Sequence, residues 1–121
     1  MKKTAALFAL LGLITSFSAC YYDKEEKLYP RPDCDTTNVT FSGGVQPILK
    51  LHCMPCHDAA VANGGVSLQT HSQVKTFADN GRMMAAIRHE SNFPMPKGAP
   101  KLDPCKIGTI QAWINAGTPN N

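Results

Sequence analysis

The sequence has little charge and few aromatic residues. Charged residues make up 17% and aromatic residues 7% of its 121 residues, and tryptophan occurs once. The formal net charge of +3 includes two lysines directly after Met1, and without them it falls to +1. So small an excess of one sign gives no argument for nucleic-acid binding. The length allows one compact domain with a small core.

Patterns typical of enzymes and of β-structure are also missing. The sequence has no glycine-rich phosphate loop, no internal repeat, no Ser-His-Asp set and no carboxylate pair suited to acid–base catalysis. It also lacks convincing alternation of apolar and polar residues, which is typical of half-buried strands. We therefore expect an all-α domain that is not an enzyme and takes no small-molecule substrate.

The N-terminal residues have the features of a secretory signal. The two lysines are followed by an apolar stretch over residues 5–14, which is too short to cross a bilayer comfortably. Small residues then lead to Cys20, which resembles the lipobox cysteine that becomes acylated in bacterial lipoproteins, although Phe17 stands where leucine is usual. Ordinary cleavage after Ala19, which leaves Cys20 as a thiol, is the alternative.

These features divide the chain into three predicted parts. We expect a lipoprotein signal peptide over residues 1–19, a lipid anchor and tether over 20–40, and one domain over 41–121. The tether has mixed charge, prolines and no apolar period. The predicted location is the surface of a bacterial membrane, facing the periplasm or the cell exterior.

About four short helices are predicted in the domain. The first begins near Ser42 and should end or distort near residues 52–54, because Pro55 cannot continue it. Two more are expected from Thr70, in a capping box with Gln73, to Ala78, and from Arg82 to His89. Their boundaries are marked by Asn63-Gly64-Gly65, by Asn80-Gly81 and by a proline-rich loop over 93–100.

The last predicted helix has the clearest local signals. Asp103 is its expected N-cap, and Pro104 occupies the first helical position. Gly117 lies just beyond the end, where a left-handed residue often stops a helix. Its apolar stripe consists of Ile107, Ile110, Trp113 and Ile114.

The most specific motif is Cys53-Met54-Pro55-Cys56-His57. Two thiols at this spacing can add to the two vinyl groups of a haem while the histidine binds its iron. A zinc site would normally need a second, distant ligand pair, and a thiol–disulfide enzyme would need a βαβ setting. We therefore expect one covalent haem c, attached through Cys53 and Cys56, with His57 as an axial iron ligand.

A second axial ligand has to come from another part of the chain. The sequence offers six methionines and histidines for this role: Met83, Met84, Met95, His52, His71 and His89. The motif alone does not select among them. An iron with five ligands is the remaining alternative.

The order of these elements resembles that of class I cytochromes c over about residues 41–118. The shared features are a first helix that leads to Cys53–His57, a methionine in a proline-rich loop, and a last helix with an aromatic residue. Short bacterial lipoprotein cytochromes are a closer likeness, with their Asn-Phe-x-Met-Pro-type loop and Lys-Leu-Asp lead. The resemblance implies a compact fold around the haem and Met95 as the second axial ligand.

One family feature is absent from this chain. In class I cytochromes c the outer nitrogen of the axial histidine usually bonds a backbone carbonyl near a Gly-Pro. Gly64-Gly65 stands here instead, so the sequence leaves the partner of His57 open.

Cys34 and Cys105 remain after one lipid anchor and two thioethers have been assigned. An exported location allows them to form a disulfide, which would join the segment before the first helix to the start of the last. These two elements pack together in class I cytochromes. Two unrelated buried thiols are the alternative.

The resemblance implies electron transfer as the function. A carrier with histidine and methionine ligands would exchange single electrons with redox proteins at the same membrane. Two alternatives are a five-coordinate haem protein that binds peroxide or a gas, and a haem subunit of a larger membrane redox complex.

Overall fold

The computed structural model describes residues 34–121. The predicted signal peptide, the predicted lipidation site Cys20 and the predicted tether up to residue 33 lie outside this range. Residues 34–121 are helical and contain no strand, as predicted. The elements are a π-helical turn (Phe41–Val45), α1 (Gln46–His52), α2 (Met54–His57), a 3₁₀ turn (Asn63–Gly65), α3 (His71–Asp79), α4 (Arg82–Ile87) and α5 (Pro104–Asn115).

The first helical element begins earlier than predicted. Thr40 caps it instead of Ser42, because its hydroxyl accepts a hydrogen bond from the Gly43 N–H at 3.0 Å. One π-helical turn follows, and regular α-helical geometry starts at Gln46. Leu49 of α1 is fully enclosed in the core.

The predicted break before the Cys-x-x-Cys-His motif is confirmed. Cys53 has a φ of −120° and separates α1 from α2. The physical cause is Pro55, which has no N–H to donate to the Leu51 carbonyl and whose ring would clash with that carbonyl in a continuous helix. The motif therefore occupies a separate helical turn.

Helices α3 and α4 begin and end close to the predicted residues, except at the C-terminal end of α4. Both hydrogen bonds of the Thr70–Gln73 capping box are present at the start of α3. Helix α4 ends at Ile87, two residues before the predicted His89. His89 has a φ of +60°, while its N–H and that of Glu90 bond to carbonyls of the last turn. This pattern is a Schellman motif, which terminates a helix.

Helix α5 agrees with the prediction at both ends and centres its buried face on Ile110 and Trp113. The Asp103 carboxylate accepts a hydrogen bond from the Cys105 N–H at 2.8 Å, and Gly117 has a φ of +89°. Ile110 and Trp113 are completely buried. They belong to a core of twelve buried apolar residues: Phe41, Val45, Leu49, Leu68, Val74, Ala78, Met83, Met84, Ile87, Leu102, Ile110 and Trp113.

The segment before the π-helical turn is attached to this core. Cys34 and Cys105 lie at disulfide distance, with 2.02 Å between their sulfur atoms, as predicted. Val39 packs against the core from the same segment. None of the helices in residues 34–121 has the length and apolar character needed to cross a membrane.

The chain after α5 folds back onto the other end of the core. We call Phe41, His71, Trp113 and Thr118 the closed cluster. The His71 Nε2 donates to the Thr118 carbonyl at 3.0 Å, and its ring meets Phe41 edge-on at a centroid distance of 4.8 Å. The Trp113 Nε1 donates to the Pro119 carbonyl at 2.8 Å. The aromatic rings and the chain after α5 therefore pack together, and their polar groups are hydrogen-bonded.

Candidate functional site

The Cys-x-x-Cys-His residues lie together on one turn. The N–H groups of Cys56 and His57 both bond to the Cys53 carbonyl, at 3.1 and 2.9 Å. Neither thiol is part of a disulfide. Cys53 is half-buried and packs against the core, whereas Cys56 is exposed. The structure thus presents two free thiols three residues apart beside an imidazole.

The environment of Cys53 does not favour its thiolate. Burial raises the pKa of the Cys53 thiol to about 11, because the negative charge would lose hydration. The reactive cysteine of a thiol–disulfide enzyme has the opposite shift, since it acts as a thiolate near neutral pH. Cys53 therefore lacks the lowered thiol pKa that the reactive cysteine of such an enzyme has.

The outer nitrogen of His57 has a backbone partner. Its Nδ1 lies 3.2 Å from the Val66 carbonyl oxygen. Because a carbonyl only accepts, Nδ1 is the donor in this pair, and in the neutral imidazole Nε2 keeps the free lone pair. This is the arrangement in which a histidine binds a metal through Nε2 while a second contact orients its ring.

The 3₁₀ turn brings Val66 back to His57. Gly64 and Gly65 have φ values of +66° and +71°, which residues with a side chain rarely adopt. The Leu68 N–H then donates to the His57 carbonyl at 2.7 Å. The sequence indicated a turn here, but it did not identify Val66 as the partner of His57. This pairing depends on where the returning chain packs.

Most of the candidate axial ligands have other roles in the structure. Met83 and Met84 are buried in the core, with 7% and 8% of their surface exposed. The Nε2 of His71 is bonded within the closed cluster. The Nε2 of His89 donates to the Met95 carbonyl at 3.0 Å. These contacts give the two methionines and two histidines structural functions.

Met95 lies in a loop that is fastened to the end of α4. Its N–H donates to the Ala86 carbonyl at 3.0 Å, and its own carbonyl accepts from His89. The Met95 side chain is half-buried. The backbone of this loop is thus positioned by α4, while the thioether is not one of the buried core groups.

The remaining candidate iron ligand is His52. Its Nε2 is buried and makes no hydrogen bond within residues 34–121. A buried polar atom in this condition costs about 1–3 kcal/mol. His52 directly precedes Cys53 at the end of α1, so this unbonded atom also belongs to the neighbourhood of the motif.

Exposed apolar residues surround the same segments. Leu51, Val61 and Phe93 are the large apolar side chains exposed in residues 34–121, at 69%, 50% and 76%. Each lies within four positions of Cys53–His57 or of Met95 along the chain. Together with two free thiols and a directed imidazole, they fit a large apolar ring that carries a metal.

Ordinary metal-ligand clusters are absent from the described range: residues 34–121 contain no group of three His, Cys, Asp or Glu side chains placed to hold a metal ion. A haem site does not depend on such a group. Its cysteines bind the ring, so His57 would be the single iron ligand of these residue types.

Comparison of the chain with models of protein families, with curated proteins and with solved structures gives no match. The interpretation of the site therefore depends on its own residues and their geometry.

Proposed function

We propose that this protein is a class I c-type cytochrome with one haem, which carries single electrons. The observation that carries the proposal is the Cys53–His57 turn, where two free thiols accompany an imidazole whose Nδ1 is bonded to the Val66 carbonyl. That bond leaves Nε2 available for iron. Two cysteines at this spacing followed by a histidine serve both covalent attachment and axial ligation.

Each residue of the motif has one role in the proposal. Cys53 and Cys56 hold the ring through thioether bonds, and the raised pKa of Cys53 agrees with an apolar contact surface at that point. His57 binds the iron, and Val66 keeps its ring in one orientation. When bound, the haem supplies an iron that alternates between the ferrous and ferric states.

Met95 is our proposed second axial ligand. Met83, Met84, His71 and His89 are engaged in packing or hydrogen bonds, as described above. Of the two remaining candidates, His52 and Met95, the class I resemblance indicates Met95. A thioether opposite an imidazole favours ferrous iron and raises the reduction potential above that of a bis-histidine site. The Met95–His89 and Met95–Ala86 bonds would position the loop for this role.

The setting that we propose is a membrane surface. Cys20 would carry the lipid, and the segment that follows it would keep the cytochrome close to the bilayer. This arrangement raises the effective concentration of redox partners at the same membrane. The exposed Cys56 is consistent with a haem edge that partners can approach.

The test is the optical spectrum of the haem-loaded protein in its ferric and ferrous forms. A methionine–iron bond gives a weak long-wavelength band in the ferric state. We expect this band in the wild type and its loss in Met95→Ala. Met83→Leu is the matched control, because it changes a buried methionine of the core, and it should retain the band.

Absence of the band from the wild-type protein would contradict Met95 ligation. A ferric protein that then binds peroxide or a gas directly would favour the five-coordinate alternative. Stable co-purification with membrane redox subunits would instead favour a role as a haem subunit of a complex.

A further inference from the structure

Positive charge is concentrated in one stretch of the described chain. Residues 34–87 contain three lysines or arginines and three carboxylates, so they are formally neutral. Residues 88–106 contain four cations and two carboxylates. This stretch runs from the end of α4 through the Met95 loop to the first turn of α5. All the formal net charge of residues 34–121 therefore lies there.

Part of this stretch forms a groove against α5. The groove has a volume of about 550 Å³ and is open to solvent. None of the haem-attachment residues lines it. Arg88, Glu90 and Lys101 provide its charged groups, Gln111 is an amide on its wall, and Pro104 and Ile107 form apolar surface. Its size is in the usual range for ligand sites.

Arg88 is held in place by a chain of amides on α5. The Arg88 Nη2 donates to the Gln111 Oε1 at 2.9 Å. The Gln111 Nε2 in turn donates to the Asn115 Oδ1 at 2.7 Å. A guanidinium has five N–H donors, so most of them remain available after this contact. The side chain is thus preorganised, which lowers the entropy cost of binding a ligand.

Arg88 and Lys101 form no ion pair within residues 34–121. The ion pair found in residues 34–121 joins Lys75 to Asp79, far from the groove in sequence. Glu90 also lines the groove but makes no ion pair with Arg88 or Lys101. Two positive groups therefore face the groove together with one unpaired carboxylate.

We propose that this groove binds an acidic segment of a partner protein. A carboxylate would bond to Arg88 and Lys101, and a neighbouring apolar side chain would lie on Pro104 and Ile107. A planar guanidinium matches a carboxylate geometrically. Glu90 disfavours a dense anionic surface such as a charged bilayer but tolerates a separated carboxylate. The proposal needs neither the haem nor the lipid anchor.

The test is a titration of the haem-loaded protein with a short blocked peptide that alternates glutamate and leucine, followed by NMR and calorimetry. We expect shifts at the amides of residues 88–90, 101 and 107–112. The same peptide with glutamine in place of glutamate should bind at least about tenfold more weakly. Binding should weaken as salt is added.

Four variants make this titration specific for the groove. Arg88→Gln should weaken binding about tenfold, because a charge-assisted contact is lost. Lys50→Gln removes the same charge outside the groove and should change the affinity less than about twofold. Glu90→Gln should tighten binding up to about threefold, since it removes a repulsive carboxylate. Gln111→Glu keeps the side-chain size but pairs with Arg88, so it should weaken binding even if Arg88→Gln does not fold.

Three results would overturn the proposal. Equal losses in Arg88→Gln and Lys50→Gln would mean attraction by overall charge alone. Peptide-induced shifts confined to other parts of the protein would place the binding elsewhere. Binding to vesicles of anionic lipid without binding to the peptide would assign the charge to a membrane surface.

Discussion

Two regions of this molecule differ in whether their polar and apolar side chains find partners within the described chain. In the closed cluster the rings of Phe41, His71 and Trp113 are packed together, and their polar atoms bond to the tail after α5. Around the Cys53–His57 turn, two thiols are free, and large apolar side chains remain exposed. The first region is complete within residues 34–121, whereas the second presents groups suited to an added partner.

The difference follows from the cost of burial. Every polar atom removed from water needs a hydrogen bond, and the closed cluster supplies these from backbone carbonyls. Thr118 is the buried polar residue there, and its hydroxyl and carbonyl contact Asp79, Lys75 and His71. The motif region instead keeps an unbonded His52 nitrogen. A region that keeps an unbonded polar atom and exposed apolar side chains is where a functional ligand is expected.

The largest expected effect is on the motif region. In a double variant, Cys53→Ala with Cys56→Ala, we expect complete loss of covalently bound haem, measured by intact mass and by haem staining after denaturation. The melting temperature should also fall strongly, because the protein core alone is small. Haem that remains attached to the denatured double variant would show that attachment does not use these cysteines.

Removing the Cys34–Cys105 disulfide should affect stability without affecting the haem. Cys34 and Cys105 are 71 positions apart in sequence, so replacing both with serine should lower the free energy of unfolding by about 4 kcal/mol through loop-closure entropy. Denaturant unfolding under oxidising conditions measures this loss. The haem spectrum should stay unchanged, and a spectral change would mean that the disulfide and the haem site are coupled.

One pair of substitutions compares the two regions directly. Trp113→Phe removes the donor to the Pro119 carbonyl and part of a fully buried ring. We expect a loss of about 2 kcal/mol in the free energy of unfolding. Phe93→Leu, at an aromatic residue that is 76% exposed, should stay within about 0.5 kcal/mol. Equal losses would contradict the contrast between the regions.

The smallest effect concerns the acid range. The hydrogen bond from Lys75 holds the pKa of Asp79 below its usual 3.8. Because the folded pKa is below the unfolded one, this carboxylate stabilises the protein above about pH 4 and loses that effect as the pH falls through its folded pKa. Asp79→Asn should therefore lower the melting temperature slightly at neutral pH and leave it unchanged at a pH below the folded pKa of Asp79.

Lys75→Met is the control for this titration. It removes the principal cause of the lowered Asp79 pKa. The melting temperature of this variant should therefore fall less steeply at acid pH, as in Asp79→Asn. If the melting temperature of the wild type falls with acid pH in the same way as in both variants, the acid response belongs to other carboxylates.

Local signals predicted several elements of the fold correctly. The Thr70–Gln73 capping box and the Asp103 cap act within three residues of their helix starts. Pro55 likewise interrupts the helix within one turn. Two boundaries differ from the prediction by two positions: the first cap is Thr40 instead of Ser42, and α4 ends at Ile87 instead of His89.

The sequence by itself determined the helical character of residues 34–121, the break at Cys53 and the spacing of two cysteines and one histidine. These properties depend on residues within a few positions of one another, where backbone chemistry leaves little choice. Only the tertiary structure decided that Val66 bonds His57, that His71 and His89 are engaged elsewhere, and that Arg88 lines a groove on α5. Each of these depends on packing between separate segments, and the same local signals would permit other partners.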